Sequence, residues 1–215
     1  MKIKNLGLIF LFTVTLFADY NYSISNINEK IEKRMFDGNS HKKDCPIELK
    51  DLRYLNLEYI DFQGNTKVGE LIVHKDVSQE IVEIFENLYE IKYPIERMQL
   101  VSDFLGNDFD SIEANNTSSY NCRNIAGTKK WSRHALGKAI DINPLQNPYI
   151  SKEGNISHKE SLKFRNRVKT NPFDLEQRAV ILKNDEIVEL FKKKGWIWGG
   201  DWITIKDYQH FDKRK

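Results

Sequence analysis

Apolar residues recur along this chain with two different periods. Leu55, Leu57 and Tyr59 alternate with polar neighbours, the period of a half-buried strand. Gln63-Gly64-Asn65 then reads as a turn, and Gly69 to His74 as a second strand, so the pair predicts a long β-hairpin. From Asp76 to Tyr89 the period changes. Ile81, Ile84, Phe85 and Leu88 fall at i, i+3, i+4 and i+7, which predicts an amphipathic helix capped by Asp76 or Ser78. Residues 95–101 predict a short strand, and residues 102–131, rich in Asn, Ser and Gly, a long loop. A second helix is expected from Asn184 or Asp185, with Ile187, Val188, Leu190 and Phe191 on one face. Lys192 to Lys194 lie in its last turn and Gly195 closes it.

Between these elements, Leu136 to Ile142 predicts a strand ended by Pro144, Asn147 and Pro148. Residues 150–178 read as a long charged insertion. Strands and helices do not alternate regularly. The expected class is therefore α+β, a small antiparallel sheet with helices.

The N-terminus changes the picture of where the chain works. Met-Lys-Ile-Lys-Asn precedes an apolar run from Leu6 to Phe17 and then Ala18, the layout of a secretory signal over residues 1–18. The run is shorter than the ~20 apolar residues that span a bilayer; an uncleaved N-terminal anchor is the competing reading. Removing the segment takes Lys2 and Lys4 and no acid, so the 33 Lys+Arg fall to match the 31 Asp+Glu. A neutral mature chain has no electrostatic footprint for nucleic acid. Residues 19–44 are polar and read as a mobile or loosely helical, flexible lead-in. Residues 45–215 are long enough for one domain with a real core, expected to be monomeric and without stable membrane insertion after signal removal. The two cysteines, Cys45 and Cys122, suggest one disulfide in an exported chain, the alternative being two buried thiols.

The chemistry is carried by two short stretches. His134 and Asp141 lie seven apart, and Asp207-Tyr208-Gln209-His210 lies near the C-terminus. Two imidazoles and one carboxylate supply the three protein ligands of a hydrolytic zinc site. On an unbroken strand His134 and Asp141 would face opposite sides, so the chain must bend between them, and Gly137 permits that bend. Asp207 can act as the catalytic base on the attacking water and later deliver the proton to a leaving amine. Arg123 can hydrogen-bond a developing oxyanion or a substrate carboxylate, or serve only as a structural ion pair. Trp202, with Trp196 and Trp198, can form a platform at the substrate site or pack in the core. The hydroxyl of Ser132 can line the site or merely form a turn. His41, His74 and His158 have no comparable setting.

Ser132-x-His134-x-x-Gly137-x-Ala139-x-Asp141, followed by Asp207-x-x-His210, resembles the signature of the M15 family of zinc D-amino-acid peptidases. The stretches Asn116 to Arg123, Ala139 to Pro144 and Trp196 to Trp202 are similar to its D-alanyl-D-alanine carboxypeptidase-like branch. The resemblance implies Zn2+ on His134, Asp141 and His210, Asp207 as base, and Arg123 and Ser132 at the substrate. It also implies the small α+β fold shared with the hedgehog signalling domain, and peptidoglycan or muropeptides as partners. Asp212 departs from the pattern, where His-Phe-Glu is common. The expected function is an exported, periplasmic or secreted zinc peptidase of stem peptides, with D-alanyl-D-alanine carboxypeptidase action favoured. L-Ala-D-Glu or cross-link endopeptidase action is the alternative within the class. A non-catalytic wall-binding domain is the alternative outside it.

Overall fold

The alternating segment around Leu55 becomes the centre of the larger sheet. The computed structural model describes residues 20–214, and the expected signal at 1–18 lies outside the described residues. The elements in chain order are β1 (Tyr22–Asn26), α1 (Glu29–Asp37), β2 (Leu52–Ile60), β3 (Thr66–His74), α2 (Ser78–Glu90), β4 (Arg97–Met98), α3 (Asp108–Glu113) and β5 (Asn116–Thr117). They continue with β6 (Ala139–Asp141), β7 (Tyr149–Ile150), α4 (Leu175–Arg178), α5 (Glu186–Lys193), β8 (Ile197–Trp198), β9 (Lys206–Asp207) and β10 (His210–Asp212). The architecture is α+β.

β1, β2 and β3 form an antiparallel sheet in that order. Its two faces bury different partners, as strand alternation requires. Leu55, Leu57, Tyr59, Leu71 and Val73 join the α2 residues Ile81, Ile84, Phe85 and Leu88 in the main core. Leu52 and Ile72 face the other way, onto Ile31 and Met35 of α1 and onto Tyr120 and Cys122.

This second face orders residues 20–44, which the sequence reads as a mobile or loosely helical lead-in: a helix is there, and a strand precedes it. β1 pairs with β2 along its full length, and α1 buries Ile31 and Met35. Asn28 caps α1 by accepting from the Ile31 amide at 3.0 Å. The segment is polar because each element presents only a narrow apolar edge; sheet pairing and one i,i+4 pair order it. The Cys45–Cys122 disulfide ties it to the rest, with Cα atoms 5.9 Å apart. The chain expected as a loop at 102–131 contains α3 and β5, and the strand expected at 95–101 shrinks to β4, which pairs parallel with β5.

A second antiparallel sheet, in the order β6-β10-β8, carries the chemistry. Ile140, Trp198 and Phe211 anchor it to the main core, and α5 packs beneath with Ile187, Val188 and Phe191. The two motif strands are thus fixed against the main core.

Candidate metal centre and catalytic base

Strand register brings two of the motif residues together. His210 on β10 stands directly opposite Asp141 on β6, although 69 residues separate them in the chain. His134 arrives differently. The strand expected from Leu136 begins only at Ala139, and residues His134–Leu136 form a 3-10 turn. Gly137 follows with φ +63°, a left-handed conformation that turns the chain back. Its carbonyl accepts from the His74 amide at 2.8 Å, which pins the bend to the end of β3. The odd spacing is resolved by that turn, and His134 reaches the Asp141 face.

The three side chains are buried and converge. Nε2 of His134 lies 3.2 Å from Oδ2 of Asp141 and 3.2 Å from Nδ1 of His210. Nδ1 of His210 lies 2.9 Å from Oδ1 of Asp141. One ligand atom from each of the three lies within 4.8 Å of the others. The partners behind them fix which nitrogen faces inward. Nδ1 of His134 donates to the Ser119 carbonyl at 2.6 Å, since a carbonyl can only accept, and this leaves the Nε2 lone pair free. Nε2 of His210 faces Oδ2 of Asp212 at 3.5 Å, which leaves Nδ1 free. Backbone carbonyl and carboxylate partners behind inward-facing imidazoles are the usual surroundings of metal-bound histidine. The donor set fits a zinc ion. Asp212, despite being shorter than the glutamate common at its position, still reaches the ring it would orient.

The electrostatics agree. Burial opposes ionisation of Asp141, yet His134 and His210 hold it well below the usual carboxylate range. Burial would lower His210, but hydrogen bonds to Asp141 and Asp212 push it up to about 10. A cation in this cluster would replace that proton.

Asp207 lies across from Tyr149 in the β7–β9 pair. Its Oδ1 is buried and has no hydrogen-bond partner among the described residues. Burial, aided by Asp141 and Asp108, pushes its pKa up to about 7 against the opposing pull of the histidines. A carboxyl near that value can both take and return a proton at neutral pH. Gly199 lets the neighbouring loop pass this close: a Cβ there would stand 2.5 Å from the Asp207 carbonyl oxygen.

The other candidates are distributed unequally. Trp202 packs its ring 5.5 Å from that of His210, with its indole N–H buried and unpartnered among the described residues. Trp196 and Trp198 are core residues, donating to Glu80 and to the Tyr208 carbonyl. Ser132 accepts from the His134 amide at 3.3 Å, so its hydroxyl shapes the turn that presents this ligand. Arg123 is gripped by Asp108 through Nε at 3.1 Å and Nη2 at 2.8 Å. The Asp108 charge also acts on Asp207, as the smallest of the influences that raise it. Sequence reasoning missed Asp108 and Ser119. An acid at the first turn of α3 could have drawn attention to Asp108, whereas a backbone carbonyl leaves no trace in residue identity. His41, His74 and His158 lie elsewhere, beside Tyr120, Asp76 and the Phe109 carbonyl.

A family model of the M15 peptidases described as D-alanyl-D-alanine carboxypeptidase matches residues 126–213. The matched segment contains His134, Asp141, Asp207 and His210 and omits Arg123 and Asp108. No curated protein and no solved structure matches the chain.

Proposed function

We propose that this chain, whose match over residues 126–213 supports an M15 family peptidase, is an exported zinc metallopeptidase that trims peptidoglycan stem peptides as a D-alanyl-D-alanine carboxypeptidase. The observation that carries the reading is the convergence of His134, Asp141 and His210, with Asp207 nearby, whose Oδ1 is buried without a hydrogen-bond partner among the described residues. His134 through Nε2, His210 through Nδ1 and Asp141 would hold the zinc. The metal, when bound there, supplies Lewis acidity that polarises a peptide carbonyl and makes a water easier to deprotonate.

The chain's own groups do the rest. Asp207 takes the proton of the attacking water and gives it to the leaving amine. Asp212 and the Ser119 carbonyl keep both imidazoles turned inward. Arg123, set by Asp108, presents its remaining guanidinium N–H groups to a substrate carboxylate or to the oxyanion. Trp202 and Ser132 border the scissile bond, and the small α+β fold shared with the hedgehog domain is the expected frame.

Export is the coarser part of the reading that other observations support. The disulfide is of a kind that persists in oxidising compartments. Among the described residues no helix is long and apolar enough to cross a membrane. The test is incubation of the purified chain with defined muropeptides, with and without chelator, read by mass spectrometry. Loss of a terminal D-alanine that stops on chelation is the expected result. Cleavage between L-Ala and D-Glu would replace the exopeptidase reading with the endopeptidase one. Binding without any cleavage would make this a wall-binding domain.

A further inference from the structure

Away from the metal centre, a cleft of about 490 Å³ opens between the turn after β2, the end of α3, the turn after β6 and the 159–164 segment. Four glutamates line it: Glu96, Glu113, Glu160 and Glu176. Glu176 is neutralised by Lys163 at 2.9 Å. Glu113 has only a loose approach to His158, at 3.9 Å. Glu96 and Glu160 make no ion pair among the described residues, and the remaining cation of the lining is Arg97. Three carboxylates thus face one guanidinium across a shared cleft.

Gln146 adds an independent sign. It is 2 % exposed and lines the same cleft. Its Nε2 donates to Glu176 at 3.2 Å, and this fixes the amide orientation, because an amide oxygen cannot approach a carboxylate as a donor. Its Oε1 is then left buried without any partner among the described residues. A buried acceptor without a donor is costly, on the order of 1–3 kcal/mol in proteins, and its natural complement is an N–H group brought by a ligand. The wall beside it includes Phe62, Leu145 and Phe164, which suit a methylene stem.

Unpaired carboxylates, an orphaned amide oxygen and an apolar wall ask for the same thing. We infer that this cleft binds a primary alkylammonium on an aliphatic stem, the basic side chain of a lysine-like residue in a peptide. The ammonium donates to Gln146 Oε1 and is neutralised by Glu96 and Glu160, while its stem lies against Phe164. An ammonium has three donors and no acceptor, which matches the three unpaired acceptor groups of Gln146, Glu96 and Glu160. The site is separate from the metal ligands, so it is tested without reference to peptidase activity.

The experiment titrates the purified chain with Nα-acetyl-lysine methylamide and follows the Gln146 side-chain amide by nitrogen-15 NMR. The comparison ligand carries an acetyl group on Nε, which removes the charge and keeps the stem. Saturable shifts at Gln146 with the first ligand, and at least ten-fold weaker binding of the second, are expected. The double variant Glu96→Gln/Glu160→Gln keeps size and shape at two positions that make no ion pair among the described residues. It should melt as the parent does and bind the lysine derivative at least ten-fold more weakly. Equal binding of both ligands, binding of neither, or parent-like binding by a folded double variant would overturn the inference. So would calcium ions that saturate the same resonances well below the concentration at which the lysine derivative does, since the carboxylates would then form a metal site.

Discussion

Gly137→Ala tests how the ligands are brought together. Gly137 sits at φ +63° between the turn that carries His134 and the strand that carries Asp141. An L-residue in the left-handed region costs about 1–2 kcal/mol. A Cβ here would also meet the His74 nitrogen at 2.6 Å and the Val73 carbonyl carbon at 3.1 Å. Those are backbone atoms of β3, and His74 N is bonded to the Gly137 carbonyl itself. The strand cannot retreat without loosening that bond, so an overpacking cost of about 1–3 kcal/mol adds to the conformational one. The expected loss is about 2–5 kcal/mol, a large share of the ~5–15 kcal/mol that holds a domain together.

Gly195→Ala is the internal control. Gly195 has φ +80°, but a Cβ there meets nothing within 4 Å, so only the conformational cost applies. Urea unfolding of the two metal-free variants should separate them by at least about 1 kcal/mol, the low end of the overpacking range. Zinc affinity, measured by competition with a chromogenic chelator, should fall for Gly137→Ala and stay unchanged for Gly195→Ala. Equal destabilisation of the two would remove the clash from the account. Parent-like zinc affinity in a destabilised Gly137→Ala would show that the bend does not place His134.

Asp207→Asn should keep one zinc per chain while turnover falls by ~10²–10⁴; near-normal hydrolysis would remove Asp207 from the chemistry. The same carboxyl gives a pH signature in the metal-free protein. Its folded pKa is raised from 3.8 to about 7, so the folded chain binds a proton that the unfolded chain has released. Stability contributed by that proton is complete below about 4 and lost as pH rises to about 7, and Asp207→Asn should flatten the decline in chemical denaturation across that window. His134→Ala should lose zinc and activity together, and full occupancy by metal analysis would refute the ligand assignment. Breaking the Cys45–Cys122 bridge, which spans 77 positions, should lower the denaturation midpoint. The chain-entropy limit for such a loop is about 4.5 kcal/mol, and an unchanged midpoint would show that the link constrains nothing. Asp108→Ala should raise KM more than it lowers kcat for a substrate with a free terminal carboxylate, with little change for its amide. An effect on kcat alone would place Arg123 at the oxyanion instead.

What could be read from the chain was whatever repeats locally. α2 and α5 announce themselves because four apolar residues recur on one face of each, and the β2–β3 hairpin because its strands alternate. The proposed ligands were legible for a different reason: their spacing alone is weak, but Ser132 to Asp141 followed by Asp207-x-x-His210 resembles a zinc-peptidase signature, and Gly137 explained how an odd interval could work. β1 and α1 stayed hidden because their apolar content is two or three residues, and their order comes from pairing with a strand thirty residues away. Asp108 stayed hidden because its importance lies in Arg123, fifteen positions on, and neither residue has a local pattern that names the other.

The same distinction bears on how firmly each part of the site is set. Asp141 and His210 are opposite each other because β6 and β10 pair, and Phe211, next to His210 and opposite Ile140, is locked into the core. Their separation is therefore as rigid as the sheet. Asp207 is held differently, by a two-residue pairing with β7 and by Gly199 passing over it. Arg123 depends on one exposed-edge ion pair with Asp108. Of the proposed metal ligands, Asp141 and His210 sit on strands anchored in the core and His134 on a turn pinned to β3, while the proposed base is held by a two-residue pairing and the proposed cation by an ion pair. The hydrolase proposed above would benefit from that division. The metal set must keep one geometry through turnover, whereas the groups that exchange protons and grip the peptide must admit substrate and release product. It follows that substitutions in the β6–β10 core should alter zinc affinity and stability together, and those at Asp108 or Gly199 should alter kinetic constants at nearly constant zinc affinity. A variant such as Phe211→Ala that lost several kcal/mol of stability yet bound zinc as tightly as the parent would break this link between packing and metal geometry.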